Sequence, residues 1–215
     1  MVVAAQQQTL QKRADRVVLN NISWQQFESL LLMLGDQRAS RLAYDSGYLE
    51  IMTPLPEHEY FKQSISIAVE DIAETLEWDY ASYGSTTWRR AVKQAGVEPD
   101  DCFYFQNEPQ IRGKLEFDLA IDPPPDLALE VDLTNKSLDR FPIYARLGVP
   151  ELWCYDDGSL KIYQLQQGDY AEVERSGIFP QLDIRALPQL IEANRLQGRR
   201  ELRRAVRDWA RGQVG

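Results

Sequence analysis

Two acidic residues, Glu130 and Asp132, lie near the end of a short and mainly apolar run, residues 126–133. Because strand side chains alternate between faces, both acids would share one face with Asp126 and Ala128. A central strand that is covered on both faces is normally apolar throughout. Buried acids of like charge are unfavourable unless a cation or hydrogen bonds compensate them. The two carboxylates are therefore candidates for chemistry.

A second acidic segment, residues 98–101, precedes an aromatic run that ends at Phe105. If both runs are strands that deliver a carboxylate to one place, they form an oxygen-rich site of the kind that Mg²⁺ or Mn²⁺ prefers. A structural interpretation stays open at this point. Asp and Glu are common at strand ends, and Pro99-Asp100 is also an ordinary turn dipeptide.

Length and composition indicate a globular protein. The 215 residues suffice for one well-packed domain, and 44% hydrophobic with 27% charged residues is ordinary. No apolar run approaches the roughly 18 residues of a membrane span, and the first residues lack a signal-peptide pattern. Cys102 and Cys154 lack Cys-x-x-Cys spacing, so we expect reduced cysteines and a cytoplasmic location. The single histidine, His58, excludes a multi-histidine metal site within one chain.

Charge is distributed unevenly along the chain. The formal net charge is −9, but residues 195–215 hold seven arginines against Glu201 and Asp208. The acidic remainder argues against strong non-specific DNA binding and fits carboxylates gathered for metal ions. The arginines recur every four residues opposite an apolar stripe. That pattern is typical of the solvated face of an amphipathic helix, although a surface that follows phosphates is also possible.

The elements between these motifs predict an α/β fold with a mixed central β-sheet flanked by helices. Helices are expected at 23–34, 56–77 and 141–147 and from residue 187 onward, and hairpins at 41–52 and 151–165. The order strand, helix, strand around residue 141 suggests a parallel crossover. We expect a flexible lead-in over 1–20, a main domain over 21–185 and an Arg-rich helical tail over 186–215.

Several ordered segments resemble the PD-(D/E)XK nuclease superfamily and, within it, a large family of bacterial proteins described as restriction endonucleases. The resemblance covers about residues 22–170. The segments that carry it are Gly47-Tyr-Leu-Glu-Ile-Met-Thr-Pro-Leu-Pro-Glu-His-Glu59, Gly96-Val-Glu-Pro-Asp100, Pro125-Asp-Leu-Ala-Leu-Glu-Val131 and Tyr144-Ala-Arg-Leu-Gly-Val-Pro-Glu-Leu-Trp153. It implies a restriction-endonuclease-like core.

The resemblance also implies a set of site residues. Asp100 corresponds to the first acid of the superfamily motif, Glu130 to the second, and His58 with Glu59 to a motif on the first helix of the core. The acids would hold one or two Mg²⁺ (or Mn²⁺) ions. The superfamily places a lysine two residues after the second acid, where this chain has Asp132.

This departure leaves two alternatives. Asp132 could join the metal ligands Asp100 and Glu130 while Lys62 or Lys136 supplies the cation, which gives a Mg²⁺-dependent endonuclease that hydrolyses DNA. Since cutting both strands of a duplex favours paired sites, such an enzyme is expected to be a homodimer. Alternatively, the chain is a catalytically impaired binding or regulatory module on a nuclease fold.

Overall fold

The chain folds around two β-sheets, as seen in a computed structural model that describes residues 15–35, 38–131 and 138–214. A five-stranded antiparallel sheet has the order β1-β3-β2-β6-β5, and a six-stranded mixed sheet has the order β11-β10-β9-β8-β7-β4. The strands are β1 Asp15–Leu19, β2 Arg41–Asp45, β3 Tyr48–Thr53, β4 Ala81–Ser82, β5 Trp88–Arg90, β6 Ala95–Val97, β7 Asp101–Tyr104, β8 Leu127–Val131, β9 Glu151–Asp156, β10 Ser159–Gln166 and β11 Asp169–Val173.

The helices are α1 Trp24–Leu34, α2 Pro56–Thr75, α3 Glu108–Ile111, α4 Phe141–Leu147, α5 Leu187–Asn194 and α6 Arg199–Val214. α1 packs against the five-stranded sheet, whereas α2 and α4 cover opposite faces of the six-stranded sheet. One core cluster joins α2 to Leu127, Leu129 and Val131 of β8, and a second joins α4 to Ala128. The alternation expected for this strand is therefore observed. The α/β class and the mixed central sheet are confirmed.

The parallel crossover predicted from the sequence is confirmed. β8 pairs with β9 in parallel from Leu127↔Glu151 to Val131↔Tyr155, and α4 lies between them in the chain. Strands β7 and β8 pair antiparallel, with Asp101 opposite Leu129. This brings the two acidic segments next to each other, since one leads into β7 and the other ends β8.

The five-stranded sheet was not predicted as a separate unit. The hairpin β2–β3 belongs to it, and so does β1, which lies at the end of the expected flexible lead-in. The chain passes between the sheets over residues 98–100. Glu98 N–H donates to Leu42 O of the first sheet, and Asp100 N–H donates to Leu129 O of the second (both 3.0 Å). Asp100 therefore lies at the junction of the two sheets.

The C-terminal helices pack against α2. The apolar side chains of α6 (Leu202, Val206 and Ala210) are buried in the same cluster as Ile65 and Ile72 of α2. The amphipathic pattern of the tail is thus accounted for by packing within the chain. No helix in the described ranges is both long and apolar enough to cross a membrane.

Candidate active site

Asp100 is held against the main chain at the end of β8. Its carboxylate is fully buried, and Oδ2 accepts a hydrogen bond from Val131 N–H at 2.7 Å. Its own N–H donates to Leu129 O. Both bonds go to β8, so the position of this carboxylate is fixed relative to the strand that carries Glu130.

His58 approaches Asp100 from the first turn of α2, which starts with Pro56. His58 Nε2 lies 3.1 Å from Asp100 Oδ2, and the imidazole is buried. Its Nδ1 lies 3.7 Å from Glu59 Oε1. With the proton on Nε2, the imidazole donates to the aspartate and orients it.

Glu130 is also fully buried, and a buried arginine lies against it. Arg140 Nη1 lies 3.0 Å from Glu130 Oε1 and 3.2 Å from Oε2, while Nη2 lies 2.9 Å from Glu50 Oε1 on β3. Tyr144 OH donates to Glu130 Oε1 at 2.5 Å. We call Glu50, Glu130, Arg140 and Tyr144 the Arg140 cluster.

Arg140 and Glu50 are site residues that the sequence reasoning missed. Arg140 occupies the N-cap position of α4, and its side chain turns inward between the two sheets. An uncompensated pair of buried acids is unfavourable, and a guanidinium with several N–H donors is well suited to bridge them. The available signal was a cation ten residues after Glu130, at the start of the crossover helix.

Tyr144 stays protonated in this environment. Burial raises the pKa of its hydroxyl well above the ordinary value of 10.0, the nearby Arg140 opposes this shift, and Asp100 adds to it. At neutral pH the hydroxyl is therefore a hydrogen-bond donor to Glu130. It fixes the glutamate on the α4 side of the sheet.

The structure brings some of the predicted site residues together and leaves others apart. Asp100 and Glu130 come from adjacent segments, and His58 contacts Asp100. Lys62 pairs instead with Glu59 (3.6 Å), a half-exposed acid that also lies 3.7 Å from Arg41 and from Nδ1 of His58. Asp132 and Lys136, predicted as third metal ligand and relocated cation, lie outside the described residues. The structure therefore shows a core of two acids and a histidine.

The donor chemistry of this core fits a hard divalent cation, because carboxylate oxygens are the preferred ligands of Mg²⁺ and Mn²⁺. Asp100 and Glu130 supply such oxygens from adjacent segments. Within residues 15–35, 38–131 and 138–214, no group of three or more His, Cys, Asp or Glu side chains is arranged to hold a metal. In addition, the guanidinium of Arg140 already contacts both oxygens of Glu130. Among the described residues, Asp100 and Glu130 are therefore the candidate metal ligands.

Comparison with known proteins assigns the chain to a family. It belongs to the Uma2 family, described as "Putative restriction endonuclease", whose model matches residues 24–197. The family predicted from the sequence motifs is confirmed.

Among solved structures, the chain is similar to one described as a putative nuclease belonging to DUF820 from Anabaena variabilis. The two are 16% identical, the match covers 71% of this chain and 92% of that chain, and the TM-score is 0.49. The search of curated proteins found no match.

Proposed function

We propose that the protein is a divalent-metal-dependent endonuclease that hydrolyses phosphodiester bonds of DNA. The observation that carries the proposal is the convergence of Asp100 and Glu130 at the junction of the two sheets. Both carboxylates are 0% exposed, yet they come from segments that a purely structural sheet would fill with apolar residues. Membership of the Uma2 family supports the same activity.

In this proposal Asp100 and Glu130 hold Mg²⁺ or Mn²⁺, and Asp132 is a candidate third ligand. The bound ion would polarise the scissile phosphodiester and lower the pKa of the attacking water. His58 keeps the carboxylate of Asp100 in place through Nε2. Arg140 supplies the fixed positive charge that the superfamily takes from a lysine, because its guanidinium contacts Glu130 directly.

Cleavage by purified protein tests this function. Plasmid, single-stranded DNA and RNA are incubated with wild type in Mg²⁺ or Mn²⁺, and with Asp100→Ala and Glu130→Ala proteins. We expect metal-dependent cutting of DNA that is lost in both variants, with Asp208→Asn as a control on the exposed surface of α6. Cleavage that persists in both active-site variants would reject the site assignment.

A second candidate function is a catalytically impaired binding or regulatory module. The specific observation in its favour is that Arg140 engages both oxygens of Glu130, so that the negative charge is already offset. Calorimetric titration separates the two functions. Tight binding of nucleic acid or protein, without uptake of Mg²⁺ and without turnover, supports the module and contradicts the nuclease.

We also propose that the protein is a homodimer and that it is located in the cytoplasm, where DNA is accessible. Paired active sites suit the cutting of two strands, and two-fold symmetry is the commonest arrangement. The apolar face of α6 is not available for a contact between subunits, because it packs against α2 of the same chain. A dimer therefore needs another surface. Light scattering at tens of micromolar that gives a mass near 24.8 kDa would exclude it.

A further inference from the structure

A cavity of about 220 Å³ lies between α2 and the turn that joins α5 to α6. Its lining combines apolar surface with polar and charged groups and comes from Tyr60, Ser64, Asn194, Arg195, Gly198, Arg199 and Leu202. None of them belongs to the candidate active site. One water needs roughly 10–15 Å³ in this measure, so the cavity has room for a tetrahedral oxyanion. We call it the α2–α6 pocket.

Ser64 is the most unusual residue of this pocket. Its side chain is 1% exposed, and within the part of the chain that the structure describes its Oγ has no hydrogen-bond partner. A helix serine often bonds to the carbonyl four residues earlier, but Ser64 does not. Because buried hydroxyls are nearly always hydrogen-bonded, an unsatisfied one that lines a cavity points to a polar ligand there.

The other side of the pocket is positively charged. α6 starts at Arg199, and the first N–H groups of a helix lack acceptors within the helix and carry its positive dipole end. Arg199 makes no ion pair among the residues that the structure describes, and its Nη2 lies 3.5 Å from Gln63 Oε1. Arg195, 3.0 Å from Glu192, adds a second guanidinium.

We propose that the α2–α6 pocket binds a phosphate group. A hydroxyl donor, a guanidinium and the N-terminus of a 16-residue helix together match the acceptor oxygens and the charge of this anion. The phosphate has two possible sources, a free phosphate compound or the backbone of a nucleic acid. The second source rests on the proposed function. It would anchor the substrate about 9 Å further along α2 than His58, which Ser64 follows by six residues.

Titration of the full chain with inorganic phosphate in EDTA tests the site, against sodium chloride of equal ionic strength. The wild type is compared with Ser64→Ala, which removes the hydroxyl and retains helix propensity, and with Arg199→Gln, which changes an exposed side chain. Arg211→Gln, at the other end of α6, is the matched control. Circular dichroism checks that each variant is folded.

We expect both pocket variants to weaken phosphate binding by about tenfold or more, and Arg211→Gln to leave it within about twofold. Equal affinity in all four proteins, or no binding above the chloride control, would overturn the site. A single-stranded oligonucleotide that competes with phosphate identifies the nucleic-acid backbone as the source. Lack of competition identifies a free phosphate compound.

The phosphate titration and the cleavage assay can fail independently, because phosphate binding in EDTA does not require cleavage of nucleic acid. Phosphate binding by a protein that cuts no nucleic acid would reject the nuclease and retain the pocket. Cleavage with unchanged phosphate binding in Ser64→Ala and Arg199→Gln would retain the nuclease and reject the pocket.

Discussion

Two of the clusters that join arginine to a buried acid differ in their access to solvent. In the Arg140 cluster, the arginine and both glutamates are 0% exposed. In the second, which we call the Asp71 cluster, buried Asp71 on α2 accepts from Arg203 and Arg207 on α6 at 2.8–3.2 Å. Those arginine side chains are 42% and 35% exposed.

The difference indicates different roles. The Asp71 cluster fastens α6 to α2, and water can solvate its arginines if the acid is lost. The Arg140 cluster excludes water, so each of its charges depends on the others. A buried ion pair is rarely more stabilising than apolar residues of the same size, which makes it a poor choice for stability alone. Its place beside Asp100 and His58 agrees better with a reactive site.

Arg140→Met should give the largest loss of stability. It leaves Glu50 and Glu130 buried without this guanidinium, and breaking a buried pair costs about 3–5 kcal/mol. Urea denaturation measures the change in the free energy of unfolding. Arg140→Lys, which keeps the charge, should recover part of the loss. A change below about 1 kcal/mol in Arg140→Met would show that solvent reaches this cluster.

Asp71→Asn should cost less, at about 1.5 kcal/mol, the lower end for hydrogen bonds to a charged group, because Arg203 and Arg207 can be solvated. The same denaturation experiment measures it. Asp208→Asn, an exposed acid that pairs with Arg211 on α6, is the matched control and should change little. If Asp71→Asn costs as much as Arg140→Met, the distinction between the two clusters fails.

The source of the catalytic cation can be decided by single-turnover cleavage. We expect Arg140→Lys to slow an active enzyme at least about tenfold, roughly 1.4 kcal/mol of barrier, because lysine cannot reproduce the planar contacts with Glu130 and Glu50. Lys62→Met should have a smaller effect, since Lys62 pairs with Glu59. Lys136→Met tests the other predicted lysine. If only Lys62→Met or only Lys136→Met slows cleavage, that lysine and not Arg140 supplies the catalytic cation.

Glu70→Gln should show the smallest effect, and it should depend on pH. Burial, and then the nearby Asp101, raise the pKa of Glu70 in the folded protein. Protonated Glu70 therefore stabilises the folded state fully below the pKa of the unfolded chain, near 4.5, and this stabilisation is lost as pH rises through the folded pKa. At pH 7 the variant should be more stable by less than about 1 kcal/mol, because solvent screens this half-buried group. At pH 4 it should show little gain. A gain that is larger at pH 4 would contradict the direction of the shift.

Local pattern was enough to predict much of the fold. The apolar stripe of α2 predicted a helix over 56–77, which is observed as Pro56–Thr75, and the parallel crossover followed from the order of elements. The separate five-stranded sheet was not predicted, because the partners of a strand are set by contacts that are distant in the sequence. For the same reason the sequence did not predict that the apolar face of α6 packs against α2.

The candidate site was predictable in part. Asp100, Glu130 and His58 could be found because each belongs to a local motif. Arg140 was visible only as a cation ten residues after Glu130. Its contact with Glu50 could not be predicted, since the two are 90 residues apart and only the packing of the two sheets brings them together. The buried acids predicted that a cation must compensate their charge. Which residue supplies that cation depends on how the two sheets pack together.

Thermal melting in Mn²⁺ tests the central claim most directly, by comparing wild type with Glu130→Gln and Asp71→Asn. An ion that binds only the folded state at ten times its Kd should raise the melting temperature by about 3–6 °C for a chain of this size. We predict this rise in wild type and in Asp71→Asn, and none in Glu130→Gln. The same rise in all three proteins, or no rise in wild type, would contradict a metal site built on Asp100 and Glu130.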